Sequence, residues 1–321
     1  MNVKMGIVMD PPASIEAKKD TTLALMRAAK KRGWSLFCIE MGGLYLRNGD
    51  AHADMHPIEV SDDDHDWYRL GNALSAPLSS LDTILMRKDP PFDMEYIYST
   101  YILERAEEAG TLVVNRPKSL RDANEKMFTA WFPRYCPPTL VTRNHARMSA
   151  FLAEHDDIVI KPLDGMGGAS IFRVRTGDSN AQVIFETLSA HQTRYAMCQR
   201  YLPEIRKGDH RVLMVDGEPM EYALARIPTG DDPRGNLAAG ARGVAVEISP
   251  KMREIASHIG PELKARGLLF VGLDVIGGFL TEINVTSPTC IREIEAAFDI
   301  DIAGGLMDAI ESRLGAAGKG S

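Results

Sequence analysis

The chain is poor in cysteine. Four of its 321 residues are Cys (38, 136, 198 and 290), and no two form a CxxC pair. This fits a reducing compartment and excludes a zinc ribbon, so each thiol reads first as a small apolar filler. Positive charge is not in excess either. The formal net charge is −7, which disfavours broad binding to nucleic acid or to an anionic membrane. Long hydrophobic runs are missing: GLLFVGLDVIGGF contains an aspartate and glycines and is too short to span a bilayer. The opening MNVKMGIVMD reads as a strand, without the apolar core and cleavage site of a signal peptide. Repeats and low-complexity tracts are absent. The expectation is a cytosolic protein with small-molecule partners.

What is present suits two or three domains with a large core: 45% hydrophobic and 25% charged residues. Residues 3–8 and 34–40 read as strands flanking a helix over 20–33, with Asp20 as its N-cap and Gly33 at its end. Asn48-Gly49 signals a hairpin, DDDHDW (62–67) an acidic surface segment, and 82–87 a buried strand. A helix over 95–110, with Ile102, Ala106 and Ala109 on one stripe, leads to a strand at 111–115. Strands alternating with helices predict an open α/β domain ending near Asp122. The pattern then turns α+β: a short helix over 124–132, strands at 157–162 and 168–175 around a glycine loop, and hairpins turning at Asp216-Gly217 and near Gly277-Gly278. The stretch 228–243 lacks hydrophobic periodicity and reads as a mobile loop.

The glycine loop is KPLDGMGGASIFRV, with Gly165, Gly167 and Gly168 close behind Lys161. A P-loop needs GxxxxGK[ST] before a helix, and a dinucleotide fingerprint also opens a helix. Here a strand pattern follows. The unit reads as strand, glycine loop, strand, whose backbone N–H groups fold over phosphates while Lys161 points its ammonium at them. An ordinary glycine-rich hairpin is the plain alternative. A second constellation favours phosphate. In GLDVIGGFLTEINVTSPT, Glu282 and Asn284 share a strand face. A two-residue turn at 277–278 would pair Asp274 with Thr281. A three-residue loop over 277–279 would pair it with Glu282, and this is the expected geometry. Two carboxylates and an amide are ligands that suit Mg²⁺ carrying nucleotide phosphates. Arg211 and Arg226 bracket the Asp216-Gly217 hairpin and Arg234 lies in the loop beyond. An ideal turn pairs position 211 with 222. Cations of this kind stabilise a transferring phosphoryl group. HADMH (52–56) has i,i+4 histidines but no further zinc ligands, so both read as surface residues.

These motifs, with GIVMDPP, ILMRKDPPFD, SLRDANEKMFTAWF, QRYLP, RGNLAAGARG and TEINVTSPTCIREIE, resemble prokaryotic glutathione synthetases of the ATP-grasp superfamily over nearly the whole chain. The resemblance implies an N-terminal α/β (pre-ATP-grasp) domain, 1–122, and a two-subdomain ATP-grasp fold. Its subdomains are 123–202 with the flap and 203–315 with the metal site and lid loop, before a tail at 316–321. It implies ligation of γ-glutamylcysteine to glycine with ATP and Mg²⁺ (or Mn²⁺) through an acyl phosphate, in a homotetramer. Carried over, Lys126 and Lys161 contact phosphates under the 165–168 loop. Gln199, Tyr201 and Leu202 hold adenine, and Asp209 lies near the nucleotide. Asp274, Glu282 and Asn284 bind magnesium. Arg87, Ser287, Pro288 and Thr289 contact the dipeptide or the product. The segment 227–242 forms a lid, and Arg211, Arg226 and Arg234 serve the reacting groups. Segment 49–80 has no assignment. Other ATP-grasp ligases, D-alanine–D-alanine ligase-like or RimK-like, would share the phosphate machinery. A nucleotide-binding regulator without turnover is the reading from another class.

Overall fold

The computed structural model describes residues 2–229, 235–237 and 240–317. The N-terminal part begins with β1 (Lys4–Met9), α1 (Thr21–Lys31) and β2 (Ser35–Glu40). The Asp20 carboxylate caps α1 by accepting from Leu23 N at 2.6 Å. Then come β3 (Leu44–Arg47), β4 (Asp50–Val60), β5 (Tyr68–Leu70), β6 (Leu74–Pro77), β7 (Thr83–Met86), α2 (Met94–Glu108), β8 (Leu112–Val114) and α3 (Pro117–Asp122). The sheet runs β3-β4-β2-β1-β7-β8, with β5 and β6 also on β4. Its centre, β2-β1-β7-β8, is parallel, as the strand–helix alternation predicts. The antiparallel edge is built by residues 44–77, most of which fall in segment 49–80, the part left without an assignment. The Asn48-Gly49 hairpin is present, both residues at positive φ.

The next part holds β9 (Thr139–Thr142), α4 (His145–His155), β10 (Asp157–Pro162), β11 (Phe172–Arg175), α5 (Ala181–Leu188) and β12 (Ala196–Arg200). The antiparallel order is β11-β10-β12-β9. Strand alternation decides which face does what. Ile158 and Ile160 are buried with Phe151 and Phe185 of α4 and α5, which turns Val159 and Lys161 to the opposite side.

The last part contains β13 (Asp209–Val215), β14 (Glu218–Ile227), β15 (Arg242–Glu247), α6 (Pro250–Ala265), β16 (Phe270–Ile276), β17 (Phe279–Asn284), α7 (Ile291–Phe298) and α8 (Ile302–Ala317). Its antiparallel sheet runs β15-β14-β13-β16-β17. Val212, Met214, Leu273 and Val275 share a core with Ile255 and Ile259 of α6. Their neighbours Arg211 and Asp274 therefore project from the other face. Asn115, just after β8, clamps this sheet to the N-terminal part: its Nδ2 donates to Phe270 O and Val285 O, both at 2.7 Å.

Several expected boundaries move. Residues 127–131 form a 3-10 turn, not a helix over 124–132, with Asn124 Oδ1 accepting from Met127 N at 2.9 Å. β11 starts at Phe172 instead of 168, because the positive φ values of Gly167, Gly168 and Ser170 extend the glycine loop. The buried stripe of α2 passes through Tyr96, Thr100, Leu103 and Ala106, leaving Ala109 exposed. Arg211 pairs with Leu224, not with residue 222, because a bulge between Val212 and Met214 shifts the register. The turn at Gly277-Gly278 has two residues, not three. A second bulge, after Asp274, still brings Asp274 opposite Glu282. β15 starts at Arg242, inside the stretch expected as loop. Residues 230–234 and 238–239 of that stretch, Arg234 among them, and tail residues 318–321 lie outside the described residues.

Candidate active site

The two bulges and the pleat bring six side chains to one face of the C-terminal sheet. Arg211, Asp274 and Glu282 stand directly opposite one another on β13, β16 and β17, and Asp209 pairs with Arg226 on β13 and β14. Asn284 is two residues beyond Glu282 on the same face, opposite Gly272. Gly272 has a steric reason to be glycine: a Cβ there would lie 2.7 Å from Arg211 Cδ. The charges interlock. Arg211 Nε donates to Asp274 Oδ1 at 2.6 Å and Nη2 to Oδ2 at 3.1 Å. Arg226 Nη2 reaches Asp209 Oδ2 at 2.6 Å and Asp274 Oδ2 at 2.9 Å.

A cavity of about 590 Å³ opens over this face. Its far wall is the β9–β12 sheet, which contributes Val159, Lys161 and Gln199, and its edge is the 165–168 loop. Val159 and Gln199 are direct cross-strand partners. Two lysines tie the walls together. Lys161 Nζ donates to Thr281 O on β17 at 3.2 Å. Lys126 Nζ donates to Gly165 O at 2.6 Å and pairs with Glu282 Oε1 at 2.9 Å, joining the glycine loop to β17. Tyr201 and Leu202 also line the cavity, and Arg173 stacks over the Tyr201 ring at 3.5 Å. Gln199 Nε2 donates to Thr139 Oγ1 at 3.1 Å, which fixes its amide.

The opposite end of the cavity belongs to the N-terminal part. Arg87, buried, donates from Nε to Thr22 Oγ1 at 3.2 Å and from Nη2 to Pro288 O at 3.0 Å. Ser287 Oγ donates to Arg87 O at 3.3 Å. Arg87, Ser287 and Thr289 line the cavity; Pro288 and Asp274 stand behind its surface. The expected residues thus converge, with Arg234 outside the described residues. His52 and His56 do not join them: His52 stacks on Tyr45, and His56 Nδ1 lies 3.0 Å from Gly71 O. The Cys290 thiol is buried and burial pushes its pKa up, as expected of an inert filler.

Electrostatics follow from burial and pairing. Burial opposes the Asp274 charge, but Arg211 and Arg226 hold its carboxyl well below the usual range. Asp209 shares Arg226 with Asp274, and burial pushes it up to about 6. Burial lowers Lys161, whereas Glu282 overcomes burial and raises Lys126. Glu125 is a member of the site that escaped sequence reading. Glu125 lines the cavity, and its Oε1 accepts from Val285 N, Thr286 N and Thr286 Oγ1 at 2.8, 2.9 and 2.8 Å. The one signal that pointed to it was its place next to Lys126 in DANEK.

Comparison with known proteins adds independent findings. The family model described as "Prokaryotic glutathione synthetase, N-terminal domain" matches residues 3–121, and "Prokaryotic glutathione synthetase, ATP-grasp domain" matches 125–299. Glutathione synthetase of Shewanella oneidensis is 60% identical over 313 residues, spanning 98% of this chain and 99% of that one. That of Escherichia coli strain K12 is 60% identical over 312 residues, 97% and 99% of the two chains. Among solved structures, D-cycloserine synthetase DcsG superposes with a TM-score of 0.69 at 16% identity, covering 97% of this chain and 99% of that one. ATP-grasp ligase PsnB complexed with minimal precursor, Mg and ADP gives 0.60 at 20% identity, covering 96% and 98%. At such identities these structures speak for the fold alone.

Proposed function

The chain belongs to the prokaryotic glutathione synthetase family, and from that premise we propose how its cavity divides the work. The protein is an ATP-grasp ligase that makes glutathione from γ-glutamylcysteine and glycine at the expense of ATP. Identity of 60% across nearly the full length sets aside the D-alanine and RimK-like alternatives and the regulator without turnover.

In our reading, Lys126, Lys161 and the backbone of the 165–168 loop hold the nucleotide phosphates. Gln199, Tyr201 and Leu202 hold adenine, with Arg173 backing the tyrosine and Asp209 beside the nucleotide. The family uses Mg²⁺ with ATP. Glu282, Asn284 and, behind them, Asp274 offer only hard oxygen and amide donors, a set that fits Mg²⁺ and also Mn²⁺. They would hold the ion, which when bound neutralises phosphate charge. Arg87 and residues 287–289 hold the dipeptide. Arg211 and Arg226 stabilise the transferring phosphoryl group and the later oxyanion. Arg234 and the 227–242 lid join them on family resemblance.

The chemistry this supports has two steps. An oxygen of the cysteinyl carboxylate attacks the γ-phosphorus, the bond to the bridging oxygen breaks, and ADP leaves. The glycine amine then attacks the acyl carbon, loses a proton, and phosphate departs with the electron pair of the C–O bond. Water would destroy the acyl phosphate, so enclosure by two walls is part of the function. The observation that carries this reading is the convergence of Lys126, Lys161, Arg211 and Arg226, all buried, on one region that also holds Glu282 and Asn284. Isotope transfer tests it. With ¹⁸O in the cysteinyl carboxylate, one labelled oxygen should appear in phosphate per turnover. Unlabelled phosphate with normal glutathione formation would sink the acyl-phosphate step. ADP release should also require both amino substrates.

Boundaries near 122 and 202, a cytosolic location and a homotetramer are proposed on the same resemblance. Among the described residues no helix is long and apolar enough to cross a membrane. Light scattering tests the oligomer: four chain masses support it, and a monomer or dimer refutes it.

A further inference from the structure

Of the three side chains that offer oxygens to a metal ion, Asp274, Glu282 and Asn284, only Glu282 is both charged and part of the cavity surface. Asp274 stands behind that surface with both oxygens held, Oδ1 by Arg211 and Oδ2 by Arg211 and Arg226. Asn284 lines the cavity without charge and is fixed by Nδ2 donating to Gly272 O at 3.1 Å. The charge of a divalent ion therefore falls on Glu282. That carboxylate already has a cation: Lys126 Nζ lies 2.9 Å from its Oε1, and both side chains are largely buried.

The balance of charge over the whole face points the same way. Lys126, Lys161, Arg211 and Arg226 stand against Asp209, Asp274 and Glu282, and adding Glu125 only makes the numbers equal. Among the described residues, no three carboxylate, imidazole or thiol side chains gather into a group that could hold a metal ion. A dication brought alone to such a wall finds no excess negative charge, and Mg²⁺ gives up its waters reluctantly. Lys126 also has a second tie. Its ammonium donates to Gly165 O at 2.6 Å, so it stands between the metal carboxylate and the 165–168 loop. A phosphate drawn under that loop competes with Glu282 for the same ammonium.

We propose that Lys126 is the resident counter-ion of Glu282 and keeps this carboxylate closed to free divalent ions, so that the ion is admitted only with a nucleotide whose phosphates draw the ammonium away. The proposal rests on the nucleotide-and-metal reading above and deepens it. Lys126 is then a gate as well as a phosphate contact. Metal and lysine compete for one carboxylate, and the nucleotide settles the competition by binding both. Linkage is reciprocal, so removing the lysine must strengthen the binding of metal alone.

The probe is Mn²⁺ by itself, with the free ion counted by its electron paramagnetic resonance signal. Without any nucleotide, Lys126→Met should bind Mn²⁺ about 10- to 100-fold more tightly than the unmodified protein, the usual size of a coupling between two binding events. Lys126→Arg keeps the charge and should bind Mn²⁺ no more tightly than the unmodified protein. Adding Glu282→Gln to Lys126→Met should remove the gain. Lys126→Met with no gain overturns the proposal, and so does a gain that survives Glu282→Gln. Calorimetric binding of ADP with Mn²⁺ to the unmodified protein shows that the nucleotide-and-metal reading stands even then. Should Lys126→Met fail to fold, the unmodified protein decides. After correction for Mn²⁺ held by free ADP, equal Mn²⁺ affinity with and without ADP is the overturning result.

Discussion

Arg211 and Asp274 face one another across β13 and β16 and close a two-pronged ion pair, Nε to Oδ1 at 2.6 Å and Nη2 to Oδ2 at 3.1 Å. Asp274 accepts from Arg226 as well, so one carboxylate is shared by two buried guanidinium groups, and Arg226 also pairs with Asp209. Both arginines reach the cavity, while the aspartate stays behind its surface. The aspartate therefore has a structural role that does not depend on any ligand: it holds two buried guanidinium groups at the cavity wall.

Replacing Asp274 by Asn keeps the shape and removes the charge. Both guanidinium groups then lose their shared counter-ion. Removing one partner of a buried pair costs about 3 kcal/mol or more. We expect a lower urea midpoint with an unchanged slope, and turnover reduced by at least about 100-fold. A stability equal to that of the unmodified protein would refute the structural half of this role.

Lys126 joins the glycine loop to β17 through Gly165 O and Glu282. Lys126→Met should retain the packing of the stem, lose both contacts and leave Glu282 without its cation. KM for ATP should rise more than about tenfold, while KM for glycine stays within about twofold. Calorimetric titration with ADP and Mg²⁺ should show the same loss. Equal losses for ATP and glycine would mean general damage instead.

Much of this was legible in the sequence because strand periodicity, caps and turn residues are local. Asp20, Asn48-Gly49 and the buried run at 82–87 report themselves. What failed was register. Neither bulge, after Val212 or after Asp274, has a local signature; each is imposed by the need to keep charged residues facing the cavity and apolar ones facing α6. The pairing of Asp274 with Glu282 was anticipated, but through a three-residue turn that does not exist. Glu125 was missed for a related reason. Its partners lie far along the chain, and no spacing encodes that.

Glu125 holds the segment after β17. One oxygen takes three donors from Val285 and Thr286, and its own carbonyl accepts from Ile283 N at 2.9 Å. That segment leads from Asn284 to Ser287. Glu125→Ala leaves two backbone N–H groups and a hydroxyl without their acceptor, which should cost about 2 kcal/mol. Glu125→Gln keeps an acceptor oxygen and should restore most of the stability and of kcat/KM for the dipeptide. A Gln variant as impaired as Ala would show that charge, not tethering, is what matters.

Asp209 gives the site a pH signature. Burial raises its pKa to about 6; Arg226 and Arg211 oppose the shift, while Asp274 and Glu282 add to it. A carboxyl raised above its unfolded value of about 3.9 binds its proton more tightly in the folded state. Its contribution to stability is therefore complete below about pH 4 and is lost as pH rises through about 6. Asp209→Asn cannot titrate. The stability of the unmodified protein relative to this variant should fall between pH 4 and 6, with a slope of up to about 1.4 kcal/mol per pH unit, and level off above. Urea denaturation of both proteins across that range measures it. A difference that grows with pH instead would mean that Arg226 dominates and that Asp209 is ionised throughout, like Asp274.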